Sequence, residues 1–276
     1  MRLKAGHRGE DVKVLQRNLN KLGELVLVDG DFGSSTREAV RNVRVTLGMP
    51  GPAEADDELQ ARLAAAPDLF PPLTSAGVTF IAREEVSSAA AYRRQYQTPC
   101  LPPAPSGITI GIGYDCRFVT TKRDLESDWS DVLSAADIDR LVAVIGVPGT
   151  PQLCEHVAEV VVPLGGAMRV FATRSLPKYF ELTRQIYPEL TDPALDAAKR
   201  TALVSLIYNR GNSLDGDRRT EMRTIQALLA ARRFSEVAAQ FESMTRLWQG
   251  VAAGLVKRRQ SEATLWRSGF RALQLE

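Results

Sequence analysis

The sequence predicts a mainly α chain with one small β-sheet, an α+β class. Three observations carry this: apolar residues recur at helical spacing in both halves, one short glycine-punctuated alternating stretch stands at Ile108–Tyr114, and a proline-bearing seam divides the chain. With 276 residues there is room for one large domain or two ordinary ones. A hydrophobic content of 44% and a charged content of 25% fit a folded globular protein rather than a disordered or fibrous one.

In residues 1–66, Val12, Leu15, Leu19 and Leu22 recur on one helical face, Asp11 stands near its start, and Gly23 ends it. Asp29-Gly30-Asp31-Phe32-Gly33 reads as a turn, after which Ser35 or Thr36 caps a second helix through Ala39, Val40 and Val43. Asp56 or Asp57 opens a third, short helix carrying Leu59 and Leu63. Residues 67–76, with Pro67, Pro71 and Pro72, read as a semi-rigid linker. Residues 77–276 form the second domain. It opens on a helix around Phe80, Ile81 and Glu84, passes a Pro-rich loop from Pro99 to Pro105, and then alternates through Ile108–Tyr114 as a strand. From Ser134 onward the pattern is helix after helix.

Residue counts narrow the chemistry. His7 and His156 are the only histidines, so a site with two or three histidine ligands is nearly excluded. Cys100, Cys116 and Cys154 form no C-x-x-C pair; free thiols are expected, with neither a zinc site nor a disulfide framework. No metal and no cofactor is expected. That leaves carboxylate chemistry, binding without chemistry, or a peptidase pairing Cys100 or Cys116 with His156, for which no orienting motif surrounds either thiol. The N-terminus lacks the apolar core of a signal peptide and no apolar run is long enough to span a membrane, so synthesis in the cytoplasm is expected. The net charge of +2 hides an uneven distribution, since residues 200–276 carry thirteen basic and seven acidic side chains. Solvated helix faces or attraction to an anionic polymer would both account for that.

Gly9-Glu10-Asp11-Val12, Leu15-Gln16, Leu19, Asp29-Gly30-Asp31-Phe32-Gly33, Thr36 and Ala39-Val40 resemble the three-helix peptidoglycan-binding domain over nearly all of residues 1–66. The resemblance implies docking onto cell wall without catalysis. Val43-Arg44 stands where that family usually has an aromatic-Gln pair, and the usual third-helix aromatic is missing.

Glu85-Val86-Ser87-Ser88, Tyr92 and Ser106-Gly107-Ile108-Thr109-Ile110-Gly111-Ile112-Gly113-Tyr114-Asp115 resemble the lysozyme-like muramidases of phages, and more closely their pesticin-like branch. The resemblance extends into Leu206–Gly211 and Leu255–Glu262. It implies cleavage of the β-1,4 bond between N-acetylmuramic acid and N-acetylglucosamine, with Glu85, rather than its neighbour Glu84, as general acid. Such an acid works when a partly apolar cleft keeps it protonated. Phage lysozymes place an aspartate before the Thr-Ile-Gly strand; here no acidic residue lies between Glu85 and Asp115. The pesticin-like branch has it six residues after the threonine, as Thr109 and Asp115 are spaced. Along one strand, six residues put hydroxyl and carboxylate on one face. Thr109 then positions water, and Asp115 acts as base or electrostatic partner; Asp115 also reads as a turn or helix-cap residue. Analogy with the phage enzymes implies inversion at the anomeric carbon. Tyr92, Tyr114, Asn209 and Arg210 are the expected substrate contacts, with the end of a core helix as the other reading of Asn209-Arg210-Gly211. Trp248 and Trp266 are expected in packing.

The expected partner is the peptidoglycan glycan strand, with no nucleic acid and no membrane span. Action in the periplasm or outside the cell would require release through a holin or delivery by a secretion machine, possible partners to which an immunity protein is added. The competing expectation is a non-catalytic wall-binding protein that retains the fold.

Overall fold

The computed structural model describes residues 1–276. The N-terminal module consists of α1 (Glu10–Asn20), α2 (Ser34–Thr46) and α3 (Asp57–Ala65). Its core is the apolar face read from the sequence: Val12, Leu15, Leu19, Phe32, Val40, Val43, Leu59 and Leu63 are all buried. Leu3 pairs with Ala55 through two backbone hydrogen bonds, fixing the N-terminus beside the entry to α3. The turn before α2 is held by one side chain. Gln16 Nε2 donates to Asp29 Oδ1 (2.7 Å), the Asp31 carbonyl (3.1 Å) and Thr36 Oγ1 (3.0 Å), while its Oε1 accepts from Gly30 N (2.9 Å). Gly30 takes φ +76, which suits glycine at this turn.

Two local expectations change. Helix α2 has Gly33 at its N-cap with no side-chain cap. Thr36 instead donates its hydroxyl back to the Asp31 carbonyl at 3.1 Å, so Ser35 and Thr36 lie inside the helix. Arg44, the departure from the family pattern, is a buried structural cation. It donates to the carbonyls of Glu54 and Met49 and pairs with Asp56 at 2.5 Å. Asp56 in turn caps α3 by accepting from Leu59 N, and that bond, followed by Arg44, holds its carboxyl below the ordinary aspartate value.

The second region begins before the proposed linker ends. Helix α4 spans Thr74–Val86, Leu73 is fully buried, and Phe70 packs edge-on against Phe180 at 5.6 Å. Helices α5 (Ala89–Gln95), α6 (Lys122–Trp129), α7 (Ala135–Leu141), α8 (Pro151–His156) and α9 (Leu164–Val170) follow, with the sheet between α5 and α6. Helix α9 continues through a π-turn at Phe171–Ser175 into α10 (Leu176–Ile186). Then come α11 (Ala197–Arg210), α12 (Thr220–Ala230), α13 (Val237–Met244) and α14 (Ala253–Ser268). Helix α4 packs against α11, and Gly77 permits the approach: a Cβ there would lie 2.3 Å from Thr201 Oγ1.

The Ile108–Tyr114 alternation is not one strand but a hairpin of β1 (Thr109–Ile110) and β2 (Tyr114–Asp115), antiparallel, with Thr109 opposite Asp115. Gly111 and Gly113 at φ +59 and +67 make the reversal. Their missing side chains leave room for Trp129 and for the Tyr208 hydroxyl, which would stand 2.8 and 2.5 Å from added Cβ atoms.

The module is seated on the larger region. Leu25, only 2% exposed, belongs to the large core, and its carbonyl accepts from Arg83 Nη1 at 3.1 Å. Val28 N donates to the Gln274 carbonyl at 2.8 Å, and Glu38 pairs with Arg93 at 2.8 Å. A cavity of about 380 Å³ lies along this junction, lined by Glu24, Thr36, Arg83, Ser88 and Arg93 among others.

Candidate active site

Glu85 sits in the last turn of α4, which stops one residue later where Ser87 turns to φ +63. Its Oε1 accepts from Arg258 Nη1 at 2.5 Å. The Arg258 side chain is only 4% exposed and is held from two more sides. Its Nη2 donates to the carbonyl (3.2 Å) and hydroxyl (3.1 Å) of Ser205 on α11, and its Nε stands 3.5 Å from Glu262 Oε1. Glu262 is fully buried and also accepts from Arg259 Nη2 (2.7 Å) and Ser205 Oγ (2.6 Å). Arg258, Arg259 and Glu262 meet because spacings of three and four bring side chains together on a helix.

Three helices thus place one carboxylate through a buried ionic network. Arg258 and Arg259 are interior residues. Glu84, the neighbour of Glu85, has its carboxyl pushed up, because burial outweighs the opposing effects of Arg258 and of the Ser261 hydroxyl.

Opposite in chemistry is the hairpin. Thr109 and Asp115 are cross-strand partners, so they share a face by pairing rather than by spacing along one strand. Asp115 Oδ1 accepts from Arg117 N at 2.9 Å, and both carboxylate oxygens accept from Gly107 N at 3.1 and 3.2 Å. The cap reading of Asp115 therefore describes how it is held, as the N-cap of a short 3₁₀ turn. The same residue lines a cavity of about 220 Å³ with Gly113, Tyr114, Asp128, Lys178 and Tyr179. Tyr179 joins the two halves of the site. Its phenol is pushed up by burial first and then by the charges of Glu85 and Asp115, while its ring tilts against Tyr208 at 4.4 Å. Tyr208 donates its hydroxyl to the Ile112 carbonyl at 3.3 Å, tying α11 to the hairpin tip.

Residues 8–50 match the family model of a putative peptidoglycan-binding domain, and residues 167–262 match that of phage lysozyme. The chain joins a peptidoglycan-binding domain to a phage lysozyme domain. Together they support a muramidase-like peptidoglycan hydrolase. No curated protein matches the chain. The peptidoglycan-binding match covers α1, α2 and the turn knit by Gln16. The phage lysozyme match takes in Ser205, Tyr208, Arg258 and Glu262; Glu85, Thr109 and Asp115 lie upstream of it.

Within the larger region, the expected substrate contacts separate. Tyr92 is a correction: it is fully buried and donates its hydroxyl to the Val162 carbonyl at 2.9 Å, so it fastens α5 to the segment before α9 and is out of reach of a sugar. Tyr114 lines the hairpin cavity, donating to Asp128 Oδ2 at 2.8 Å with its ring edge-on to Trp129 at 5.3 Å. Asn209 and Arg210 end α11 half-buried and do not line that cavity. Asn209 Oδ1 accepts from Arg259, and the Arg210 guanidinium lies over Trp248 at 4.8 Å while donating to the Arg218 carbonyl. Burial, then the neighbouring Arg219, Arg259 and Arg218, pull the Arg210 guanidinium down to about 10. Trp266 is a packing residue, donating Nε1 to the Phe234 carbonyl at 2.8 Å.

Sequence reasoning missed Tyr179, Ser205 and the depth of Glu262. Only the Arg258–Glu262 spacing signalled the network. Part of the basic C-terminal stretch is spent in ion pairs such as Arg267–Glu242, Arg246–Glu221 and Arg233–Glu236. No cluster of three His, Cys, Asp or Glu side chains is arranged to hold a metal, and no helix is long and apolar enough to cross a membrane.

Proposed function

We propose that the chain hydrolyses the β-1,4 bond between N-acetylmuramic acid and N-acetylglucosamine, with Glu85 as general acid. Glycoside hydrolysis needs a proton donor for the leaving oxygen and a second group for the attacking side. Arg258 holds Glu85 Oε1, leaving Oε2 as the proton-transfer atom. Across the site, the Thr109 hydroxyl positions the attacking water, and Asp115, fixed by two backbone amides, activates it or stabilises charge at the anomeric carbon. Tyr114 and Tyr179 flank the sugar in the hairpin cavity. The N-terminal module holds the enzyme against the glycan, and the reaction takes place in the periplasm or outside the cell.

One observation carries this reading: the charges of Glu85 and Asp115, thirty residues apart in sequence, both bear on the phenol of Tyr179, which lines the hairpin cavity together with Asp115. The test is mass analysis of sacculus digests made by wild type and Glu85→Gln. New reducing muramic ends from the wild type alone are expected. Reducing glucosamine ends or released peptides would overturn the bond assignment, and equal digests from both proteins would overturn Glu85. NMR of the first product anomer is expected to give inversion.

A further inference from the structure

Of the three thiols, one is walled in and two stand together near the surface. Cys116 is fully buried, and its thiol is pushed up to about 12 by burial and then by the charge of Asp115. So little thiolate makes it inert. Cys154, half-buried on α8, points its Sγ at the Pro99 carbonyl, 3.6 Å away. That carbonyl belongs to the peptide joining Pro99 to Cys100, so peptide dimensions put the Cys100 Cα no more than about 6.5 Å from the Cys154 sulfur. Counting the Cys154 stem as well, the two Cα atoms lie no more than about 9 Å apart. Disulfides span about 4.4–6.8 Å, so side-chain rotation together with a shift of the short helix α8 would join the pair. Cys100 is also half-buried, and after burial itself Cys154 is what pushes its thiol up.

The surroundings give such a link a consequence. Cys100 exchanges both backbone hydrogen bonds with Thr109, each at 2.9 Å, forming the edge beside β1. Helix α8 is a six-residue element with no fully buried side chain. A covalent bond would fasten this lightly held helix to the strand that neighbours Thr109.

We propose that Cys100 and Cys154 form a disulfide when the folded protein meets a small-molecule disulfide, locking α8 to the edge of the catalytic hairpin. One thiolate attacks the donor, forming a mixed disulfide and releasing one thiol. The second thiolate attacks the protein sulfur of that mixed disulfide, forming the Cys100–Cys154 bond and releasing the other thiol. The protein loses two hydrogens, its two sulfurs are oxidised, and the donor is reduced to two thiols.

The experiment uses the full chain, purified reduced and then incubated with oxidised glutathione at mildly alkaline pH. Thiols titrated after denaturation are expected to fall from three to one, and peptide mapping is expected to join the Cys100 and Cys154 peptides. Amide exchange in residues 150–157 should slow in the oxidised form and recover on reduction. Cys100→Ser and Cys154→Ser should each abolish the link. Three thiols remaining, glutathione adducts on both sites without the link, or a link through Cys116 would each overturn the proposal.

Discussion

In the N-terminal module one neutral amide, Gln16, organises the Asp29–Thr36 turn, whereas in the larger region Glu85 is placed by a buried set of charges. Both devices satisfy polar groups beside an apolar core, but their physics differs. Gln16 is buried, but a neutral amide costs far less to dehydrate than a charge, and its three donations and one acceptance each add modestly to stability. Arg258, Arg259 and Glu262 give up far more, and well-packed apolar residues in their place would often be equally stable or more so. Arg258 fixes the position of the Glu85 carboxyl, and a buried cation needs a counter-ion of its own, which Glu262 supplies. The module is built to keep a shape; the lysozyme domain is built to keep a charge in place.

Chemistry should separate from stability most at Glu85. Replacing it by Gln keeps the shape and removes the proton donor, so sacculus hydrolysis should fall by roughly a hundred- to ten-thousand-fold. The unfolding midpoint should change little, because this carboxylate is the network's partly exposed end. A large loss of stability would mean that Glu85 serves the network instead of being served by it.

The charged network itself breaks at Glu262. Glu262→Leu leaves Arg259 fully buried without its partner and removes one anchor of Arg258, for a loss of about 3–5 kcal/mol by urea unfolding. Adding Arg259→Met should restore most of it, since the pair is then exchanged for apolar packing. No restoration in that double variant would show that the ions contribute net stability.

Legibility in the sequence follows the same division. Val12, Leu15 and Leu19 announce a helix because burial of an apolar stripe has a period, and Gly30 and Phe32 announce a turn because few residues tolerate one. The hairpin was hidden because Thr109–Ile110 and Tyr114–Asp115 alternate alike whether continuous or folded back. What decides is positive φ at Gly111 and Gly113, where the distant Trp129 and Tyr208 fill the space that side chains would need. Tyr92 stood at family spacing, but its hydrogen bond to Val162 crosses seventy residues and leaves no local trace. The burial of Arg258 and Arg259 leaves as little local trace: only tertiary structure brings α4, α11 and α14 to one point.

The junction between the two regions carries a titration. Glu24 is buried, accepts from Asn42 Nδ2 at 3.0 Å, and faces Arg93 and Glu38. Burial is the largest influence and pushes its carboxyl up to about 7. The fold therefore holds this proton more tightly than the unfolded chain does. Its contribution is fully present below the ordinary glutamate value and is lost as pH rises through about 7. Glu24→Gln should thus stabilise the protein at about pH 8, by on the order of 3 kcal/mol, and leave it nearly unchanged at about pH 4. A gain of equal size at both pH values would remove titration as the cause.

The smallest effect belongs to the neutral network. Gln16→Ala takes away all four hydrogen bonds at the turn, but Asp29 remains close enough to solvent for water to replace part of what is lost. A destabilisation of about 2 kcal/mol is expected. It should be independent of pH across the range in which Glu24 titrates, because no charge is removed. Gln16→Glu sharpens the point. It keeps the acceptor for Gly30 N but sets a carboxylate against Asp29 Oδ1, where the amide donated at 2.7 Å. If the amide's donor character organises this turn, Gln16→Glu should be at least as damaging as Gln16→Ala at neutral pH and recover on acidification. Equal tolerance of Gln and Glu there would mean that Phe32 packing holds the turn, and the contrast between the two networks would fall away.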